Sequence, residues 1–262
     1  MKENSNKKAI LVVSFGTTHP ETRAKTIDVI EQTLQEAFPE QRLYRAWTSR
    51  MVIRKLMDRD GYAVDTVEQA MERMLADGIR QVLVQPTHVM DGIENERMKE
   101  AVSVSAGKFE QVRFGAPLLS EDSDFRQAAE GILQEFAGLS SDTALVLVGH
   151  GTTHAANTVY ERLERQFRNM GESRVFVGTV EDGTETSVWK ERKKQFRKVI
   201  LAPFLIVAGE HAKQDLAGDC PDSWKSRLEA AGMKVECSMK GLGEYAAIRS
   251  LFAAHAEKAM EE

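Results

Sequence analysis

Short apolar runs alternate with amphipathic stretches along almost the whole chain. The runs are continuous, which is typical of strands buried on both faces of a parallel sheet. Between them, apolar residues recur at three- and four-residue spacing and predict helices. We expect eight strands: Ala9–Ser14, Arg42–Trp47, Gln81–Gln85, Gln111–Phe114, Thr143–Gly149, Arg174–Val180, Lys198–Ala202 and Lys234–Ser238. Alternating strands and helices predict an α/β fold.

Two of the predicted helices have clear sequence features at one end. Residues 20–38 begin with Pro20, which suits a first helical position, and carry one apolar stripe, so a single helix is expected. Residues 66–78 carry a similar stripe and end on Gly78, which is typical of a helix C-terminus. In the last predicted helix we expect His255 to lie on the surface.

The opening strand of the chain has a near copy in the second half. AILVVSFGTTH at Ala9–His19 corresponds to ALVLVGHGTTH at Ala144–His154. Both copies end on Gly-Thr-Thr-His, but Phe15 of the first copy stands where the second has His150. The same turn is therefore predicted twice, with a different side chain at its centre.

A second pair of segments repeats in the same order. Residues 79–94 align with residues 196–211, which places Glu94 opposite His211. Several motifs in one order indicate two copies of one domain, so we expect two similar doubly wound domains, each with a four-stranded parallel sheet flanked by helices. The small polar segment Gly138–Asp142 predicts the boundary, giving domains at 1–139 and 140–262 that face each other across a cleft.

Bulk properties narrow the class of protein. The 262 residues are 42% hydrophobic and 29% charged, with a formal net charge of −5. These values are ordinary for a globular protein and argue against a nucleic-acid partner. Cys220 and Cys237 form no disulfide framework, and no apolar run approaches the length that a membrane span needs. We expect a cytoplasmic protein without a membrane partner.

Candidate chemistry lies where strands of the second half end. His150 follows the first strand of that half, Glu181 follows the second, and His211 follows the third. The carboxyl ends of parallel strands meet at one edge of a sheet, where ligands bind in such folds. Imidazole and carboxylate together suit a divalent ion such as Co²⁺, Fe²⁺, Ni²⁺ or Zn²⁺. The three residues are therefore a candidate metal site.

Each of these residues also has a structural interpretation that the sequence leaves open. His150 is compatible with a turn residue that donates to a backbone carbonyl, Glu181 with a solvated loop acid, and His211 with a helix cap. His19 and His154 are expected to be structural, because each follows a Thr-Thr turn beside a helix N-terminus.

Six ordered motifs carry a resemblance to a known family. The chain from Lys8 onward resembles the sirohydrochlorin cobaltochelatases of anaerobic cobalamin biosynthesis (CbiK type), class II chelatases with a ferrochelatase-like fold. The motifs are ILVVSFGTTH, AWTSRMVIRKL, VLVQPTHVMDGIE, LVGHGTTHAAN, GTVED and LAPFLIVAGEHAKQDLAGD. The resemblance implies an enzyme that inserts Co²⁺ into sirohydrochlorin, or into its oxidised or reduced precorrin-2 form, in the cleft between two domains.

The resemblance also implies roles for individual residues. His150, Glu181 and His211 match its metal-binding and catalytic positions, and Glu94 matches an acidic position that faces the same cleft. No organic cofactor is implied. The divalent metal is a substrate, Co²⁺ in the first place, with Fe²⁺ and Ni²⁺ as alternatives.

The substrate is a polycarboxylate, so basic residues are expected in the cleft. The basic candidates lie in and after the second strand. An aromatic at the first strand end offers a wall for the macrocycle, and a histidine occupies another strand end of the first half. The candidate substrate-binding residues are Phe15, Arg45, Arg50, Arg54, His88 and Glu94.

Two other functions stay open on the sequence alone. A non-catalytic metal or tetrapyrrole carrier would keep the same fold and histidines. A hydrolase or transferase with a histidine base would not need a metal. A homo-oligomer is also compatible with the sequence, because apolar helix stripes do not distinguish a core from an interface.

Overall fold

The computed structural model describes residues 7–181, 183, 186–210 and 212–261. In these residues the chain forms two compact units. The first comprises residues 7–124 together with 246–261, and the second comprises the described residues between 125 and 245. Each unit contains a four-stranded sheet flanked by helices. The predicted α/β fold with two such sheets is confirmed.

The strands of both sheets run parallel. The first sheet consists of β1 (Lys8–Ser14), β2 (Arg42–Trp47), β3 (Gln81–Pro86) and β4 (Gln111–Phe114), in the order β2-β1-β3-β4. The second consists of β5 (Thr143–Gly149), β6 (Val175–Thr179), β7 (Lys198–Pro203) and β8 (Lys234–Cys237), in the order β6-β5-β7-β8. Because both orders reverse beside the first strand of the unit, the strand ends there form the expected ligand-binding edge.

Helices cover the sheets. The described helices are α1 (Pro20–Lys25), α2 (Ile27–Ala37), α3 (Arg50–Asp60), α4 (Val67–Ala76), α5 (Ile93–Ala106), α6 (Asp122–Glu135), α7 (Thr158–Asn169), α8 (Thr186–Arg192), α9 (Trp224–Ala230) and α10 (Ala246–Glu261). Short 3₁₀ turns lie at Ala155–Asn157 and Leu242–Glu244, and a π-helical turn lies at Ala212–Leu216. The helices of the described residues all fall short of the length and apolar character that crossing a bilayer takes.

The register of the strands supports the internal repeat. Val13 of β1 pairs with Pro86 of β3, and Val148 of β5 pairs with Pro203 of β7. These are the pairs that the aligned segments require. The central strands are buried along almost their whole length, since helices pack on both faces of each sheet.

The first predicted helix is divided in two. Thr26 separates α1 from α2, with φ −122° and ψ −80°. Its hydroxyl donates to the carbonyl oxygen of Thr22 at 2.7 Å, and its amide donates to Arg23. This local bonding offers the backbone an alternative to the continuous helical ladder.

The last helix corrects one expectation and changes the division of the chain. α10 packs on α2, β3 and β4, so it belongs to the first unit, whereas the predicted boundary at residue 139 assigns it to the second half. The surface position expected for His255 is wrong, because His255 is only 8% exposed. Its Nε2 lies 3.0 Å from Asp124 Oδ1, and its Nδ1 lies 3.2 Å from the carbonyl oxygen of Ala116.

Candidate functional site

The turn after β5 holds His150 between two close backbone contacts. A Cβ added to Gly149 would lie 2.1 Å from the ring of Tyr160, so only glycine fits there. Gly151 has φ +88°, and a Cβ there would lie 3.0 Å from the Cβ of Glu181. The tight packing on both sides fixes the backbone at His150.

Glu181 lies beside this turn at the same edge of the second sheet. Its amide nitrogen donates to the carbonyl oxygen of His150 at 3.2 Å. Both side chains are exposed, and His150 Nδ1 lies 3.2 Å from the carbonyl oxygen of Gly151. The structure therefore brings together two of the three predicted metal-site residues, an imidazole and a carboxylate.

The end of β6 is held by a buried tryptophan. The indole N–H of Trp224 donates to the carbonyl oxygen of Thr179 at 3.1 Å. The same ring packs on Gly178, where a Cβ would lie 2.5 Å from it. Trp224 therefore fixes the strand that leads into Glu181, a function that sequence patterns did not indicate.

The third predicted ligand, His211, lies outside the described residues. β7 ends at Pro203, and the π-helical turn begins at Ala212. In the part of the chain that the structure describes, no group of three His, Cys, Asp or Glu side chains is arranged to hold a metal ion. The three-residue metal site therefore stays a prediction.

The first unit carries a groove of about 790 Å³ at the corresponding edge of its sheet. Phe15, which follows β1, lines it and is 46% exposed. Glu94 lines it from the first turn of α5 and pairs with Arg97 at 2.8 Å. Arg50 lines it from the first turn of α3 and pairs with Glu68 at 3.0 Å. Three of the predicted substrate-binding residues thus share one groove.

Arg45 does not belong to this groove. Its Nε donates to Glu31 at 2.7 Å, one Nη donates to Tyr62 at 2.8 Å, and the other contacts Asp28 and Glu31. Burial raises the pKa of Glu31, although the hydrogen bond and charge of Arg45 oppose that shift. Arg54 is exposed on α3 and is not among the groove-lining residues. Of the three arginines that sequence analysis proposed, the groove contains Arg50.

His88 lies inside the first unit, just beyond β3. It is 8% exposed, its Nδ1 lies 3.3 Å from Asn95 Oδ1, and its buried Nε2 has no hydrogen-bond partner among the described residues. Burial lowers the pKa of His88, although its hydrogen bond to Asn95 Oδ1 and the carboxylates of Glu94 and Asp91 oppose the shift. The residue is a neutral interior group next to the helix that carries Glu94.

The histidine of the second Gly-Thr-Thr-His motif is structural, as expected. His154 precedes the 3₁₀ turn Ala155–Asn157, and its Nδ1 accepts a hydrogen bond from the amide of Ala156 at 3.1 Å. Arg97 was not anticipated, although its position three residues after Glu94 on a predicted helix is a usable signal for an ion pair.

Comparison with known proteins adds independent information. The chain is 38% identical over 259 residues to the sirohydrochlorin cobaltochelatase of Salmonella typhimurium. The match covers 97% of each chain. It is 33% identical to sirohydrochlorin cobaltochelatase CbiKC of Nitratidesulfovibrio vulgaris, covering 91% of this chain and 86% of that one.

A solved structure shares the fold at much lower identity. SirB from Bacillus subtilis with Fe³⁺ superposes with a TM-score of 0.69 at 14% identity, covering 97% of this chain and 95% of that chain. The family described as cobalt chelatase (CbiK) matches residues 8–261. On the strength of this match and of the two relatives, the chain belongs to the cobalt chelatase (CbiK) family.

Proposed function

We propose that this chain inserts Co²⁺ into sirohydrochlorin. The reaction releases two pyrrole N–H protons as the divalent ion enters, so charge and atoms balance without an organic cofactor. Membership of the cobalt chelatase family supports the reaction, and the names of the two relatives support sirohydrochlorin as the substrate.

One observation in this chain carries the proposal. The strand-end turn is built twice with the same backbone hydrogen bond, from Ser49 to Phe15 in the first unit and from Glu181 to His150 in the second, at 3.2 Å in both. The turn therefore forms without an imidazole or a carboxylate. Their presence in the second unit alone is a chemical difference rather than a structural requirement.

His150 and Glu181 supply the ligands for the incoming ion. An imidazole nitrogen binds a borderline divalent metal well, and a carboxylate offsets its charge while water leaves the coordination sphere. In this proposal His211, which lies outside the described residues, completes the set.

The same groups also accept and transfer the protons that the pyrroles release. Each pyrrole N–H must lose its proton before its nitrogen can bind the ion. An imidazole that is not holding the metal accepts such a proton, and Glu181, exposed beside it, passes the proton outward. No covalent intermediate is required.

The groove of the first unit is proposed to hold the macrocycle. Phe15 offers an aromatic face to a flat ring system, and Arg50 offers donors to its carboxylates. Glu94 supplies a carboxylate on the same groove. The metal itself is a substrate, and Fe²⁺ and Ni²⁺ are expected to compete, since affinity at nitrogen and oxygen ligands follows a general order among first-row ions.

The experiment compares insertion with binding. Purified protein is mixed with a molar excess of sirohydrochlorin and Co²⁺, and the absorbance change of the tetrapyrrole is followed against a protein-free control. A chelatase accelerates insertion over many turnovers. A carrier binds both substrates yet leaves the rate at or below that of the control, and this result would refute the proposal.

A further inference from the structure

We infer that Arg97 is a substrate-binding residue that exchanges its ion pair with Glu94 for one with a carboxylate of the tetrapyrrole. The inference rests on the proposed function for the identity of the ligand. It concerns a residue that neither the motifs nor the repeat singled out.

The geometry of the pair favours such an exchange. Arg97 Nη1 lies 2.8 Å from Glu94 Oε1, and both side chains line the same groove. The Arg97 side chain is 66% exposed, against 31% for Glu94. A guanidinium has five N–H donors, and the hydrogen bond to Glu94 uses one of them, so a substrate carboxylate has other donors to bind.

The pair is also weak enough to be replaced. Ion pairs between exposed side chains contribute little to stability, because water screens them and both side chains lose freedom. A substrate carboxylate forms an equivalent ion pair with the same guanidinium, and the macrocycle adds apolar contacts with the groove. The exchange therefore costs little on the protein side and leaves the Glu94 carboxylate without its cation.

The rest of the groove matches a flat polycarboxylate. Phe15, Met51 and Val104 line it while 46%, 77% and 75% exposed, which is unusual for large apolar side chains. Arg50 repeats the arrangement of Arg97, since it is 77% exposed and pairs with a groove acid at 3.0 Å. The groove thus combines apolar side chains with two arginines, each of which is paired with a carboxylate that a substrate acid can replace.

The first test measures binding in the absence of metal. Sirohydrochlorin is titrated into wild-type protein and the Arg97→Gln variant, and the dissociation constant is read from the absorbance change. We expect a rise of roughly tenfold, as for loss of one charged hydrogen-bonding group. Arg126→Gln is the matched control, because Arg126 is 71% exposed and pairs with Glu130 at 2.9 Å without lining the groove.

The second test isolates the exchange. Glu94→Gln removes the internal competitor, so sirohydrochlorin is expected to bind about two- to fivefold tighter when Arg97 is present. In the Arg97→Gln background the same change should have no such effect. An unchanged dissociation constant in Arg97→Gln would overturn the role of Arg97, and equal effects of Glu94→Gln in both backgrounds would overturn the exchange.

Steady-state kinetics then separate this inference from the proposed function. If the chain inserts cobalt, Arg97→Gln should raise KM for sirohydrochlorin while kcat falls less than twofold. A wild-type protein that binds sirohydrochlorin but does not insert cobalt would refute the function, while the metal-free titrations would still decide the role of Arg97.

Discussion

The amide nitrogen of Glu181 donates to the carbonyl oxygen of His150 at 3.2 Å, and the amide nitrogen of Ser49 donates to the carbonyl oxygen of Phe15 at the same distance. The two strand-end turns are thus one backbone design with two sets of side chains. Exchanging the side chains between the units is therefore a clean way to separate chemistry from folding.

The first exchange is His150→Phe, which copies the first unit. The variant should fold, because Phe15 occupies the equivalent turn of the first unit, and it should lose more than about 100-fold in kcat, because the proposed metal ligand is removed. The measurement is the initial rate of cobalt insertion with excess Co²⁺, alongside circular dichroism and Tm. His154→Asn, which keeps an acceptor for the cap of the neighbouring turn, is the control and should retain activity.

A result that contradicts this account is easily recognised. Near wild-type insertion by folded His150→Phe would make the histidine a structural turn residue, which is the alternative that the sequence left open. Loss of activity together with a collapse of Tm would instead show that the two turns are not interchangeable.

The second exchange is Glu181→Ser, which copies Ser49. We expect a smaller loss of about tenfold in kcat/KM, with most of it in the KM for Co²⁺. A carboxylate that balances charge is partly replaced by water or by the acids of the substrate, whereas a nitrogen ligand is not. Rates measured over a range of Co²⁺ concentrations test whether Glu181→Ser loses less activity than His150→Phe. An equally large loss would mean that Glu181 contributes as much to cobalt insertion as His150 does.

The strands were predictable because of how they are buried. A central strand covered on both faces, such as β5, must be apolar along its whole length, and this leaves an unbroken signal in the sequence. Each predicted strand matches an observed one to within a residue at either end. The repeat then placed His150 and Glu181 at one edge, because parallel strands end together.

The predictions for Arg45 and His255 were wrong for a different physical reason. Arg45 was expected in the substrate site, but its partners Asp28 and Glu31 lie on the preceding helix α2, 17 and 14 residues away in the sequence. His255 was expected at the surface, but its partner Asp124 lies far away in the sequence. Such pairings depend on three-dimensional neighbours, and local periodicity carries no information about them.

A glycine should be required at position 151, because of its positive φ and because Glu181 and Thr179 pack closely against it. At φ +88°, an alanine would be strained, and its Cβ would lie 3.0 Å from Glu181 and 3.1 Å from Thr179. We expect Gly151→Ala to destabilise the fold by about 2–3 kcal/mol and to displace the Glu181 loop, lowering the insertion rate.

Gly171→Ala provides the matched control for that substitution. Gly171 has φ +84°, but a Cβ there would meet nothing within 4 Å. Its cost should be about 1–2 kcal/mol, from backbone strain alone, with the insertion rate unchanged. Equal losses of stability in the two variants, measured by thermal or urea unfolding, would show that the contact with Glu181 does not matter.

His88 should make stability depend on pH in a defined direction. Burial lowers its pKa in the folded state below the ordinary value of 6.5, while its hydrogen bond to Asn95 Oδ1 and the carboxylates of Glu94 and Asp91 act the other way. As pH falls through 6.5, the unfolded chain therefore binds a proton at this position that the folded chain does not. The free energy of unfolding must then decrease until the pH passes the folded-state pKa.

His88→Gln removes this titration and keeps a polar side chain of similar reach. We expect wild-type stability to exceed that of the variant most at pH 7.5 and above, and the difference to shrink by up to about 1.4 kcal/mol per pH unit below the unfolded-state pKa. Urea unfolding of both proteins at several pH values between 7.5 and 5 gives the difference directly. If the two stability curves instead run parallel over this interval, His88 titrates alike in the folded and unfolded chains. The buried, neutral state assigned to it would then be wrong.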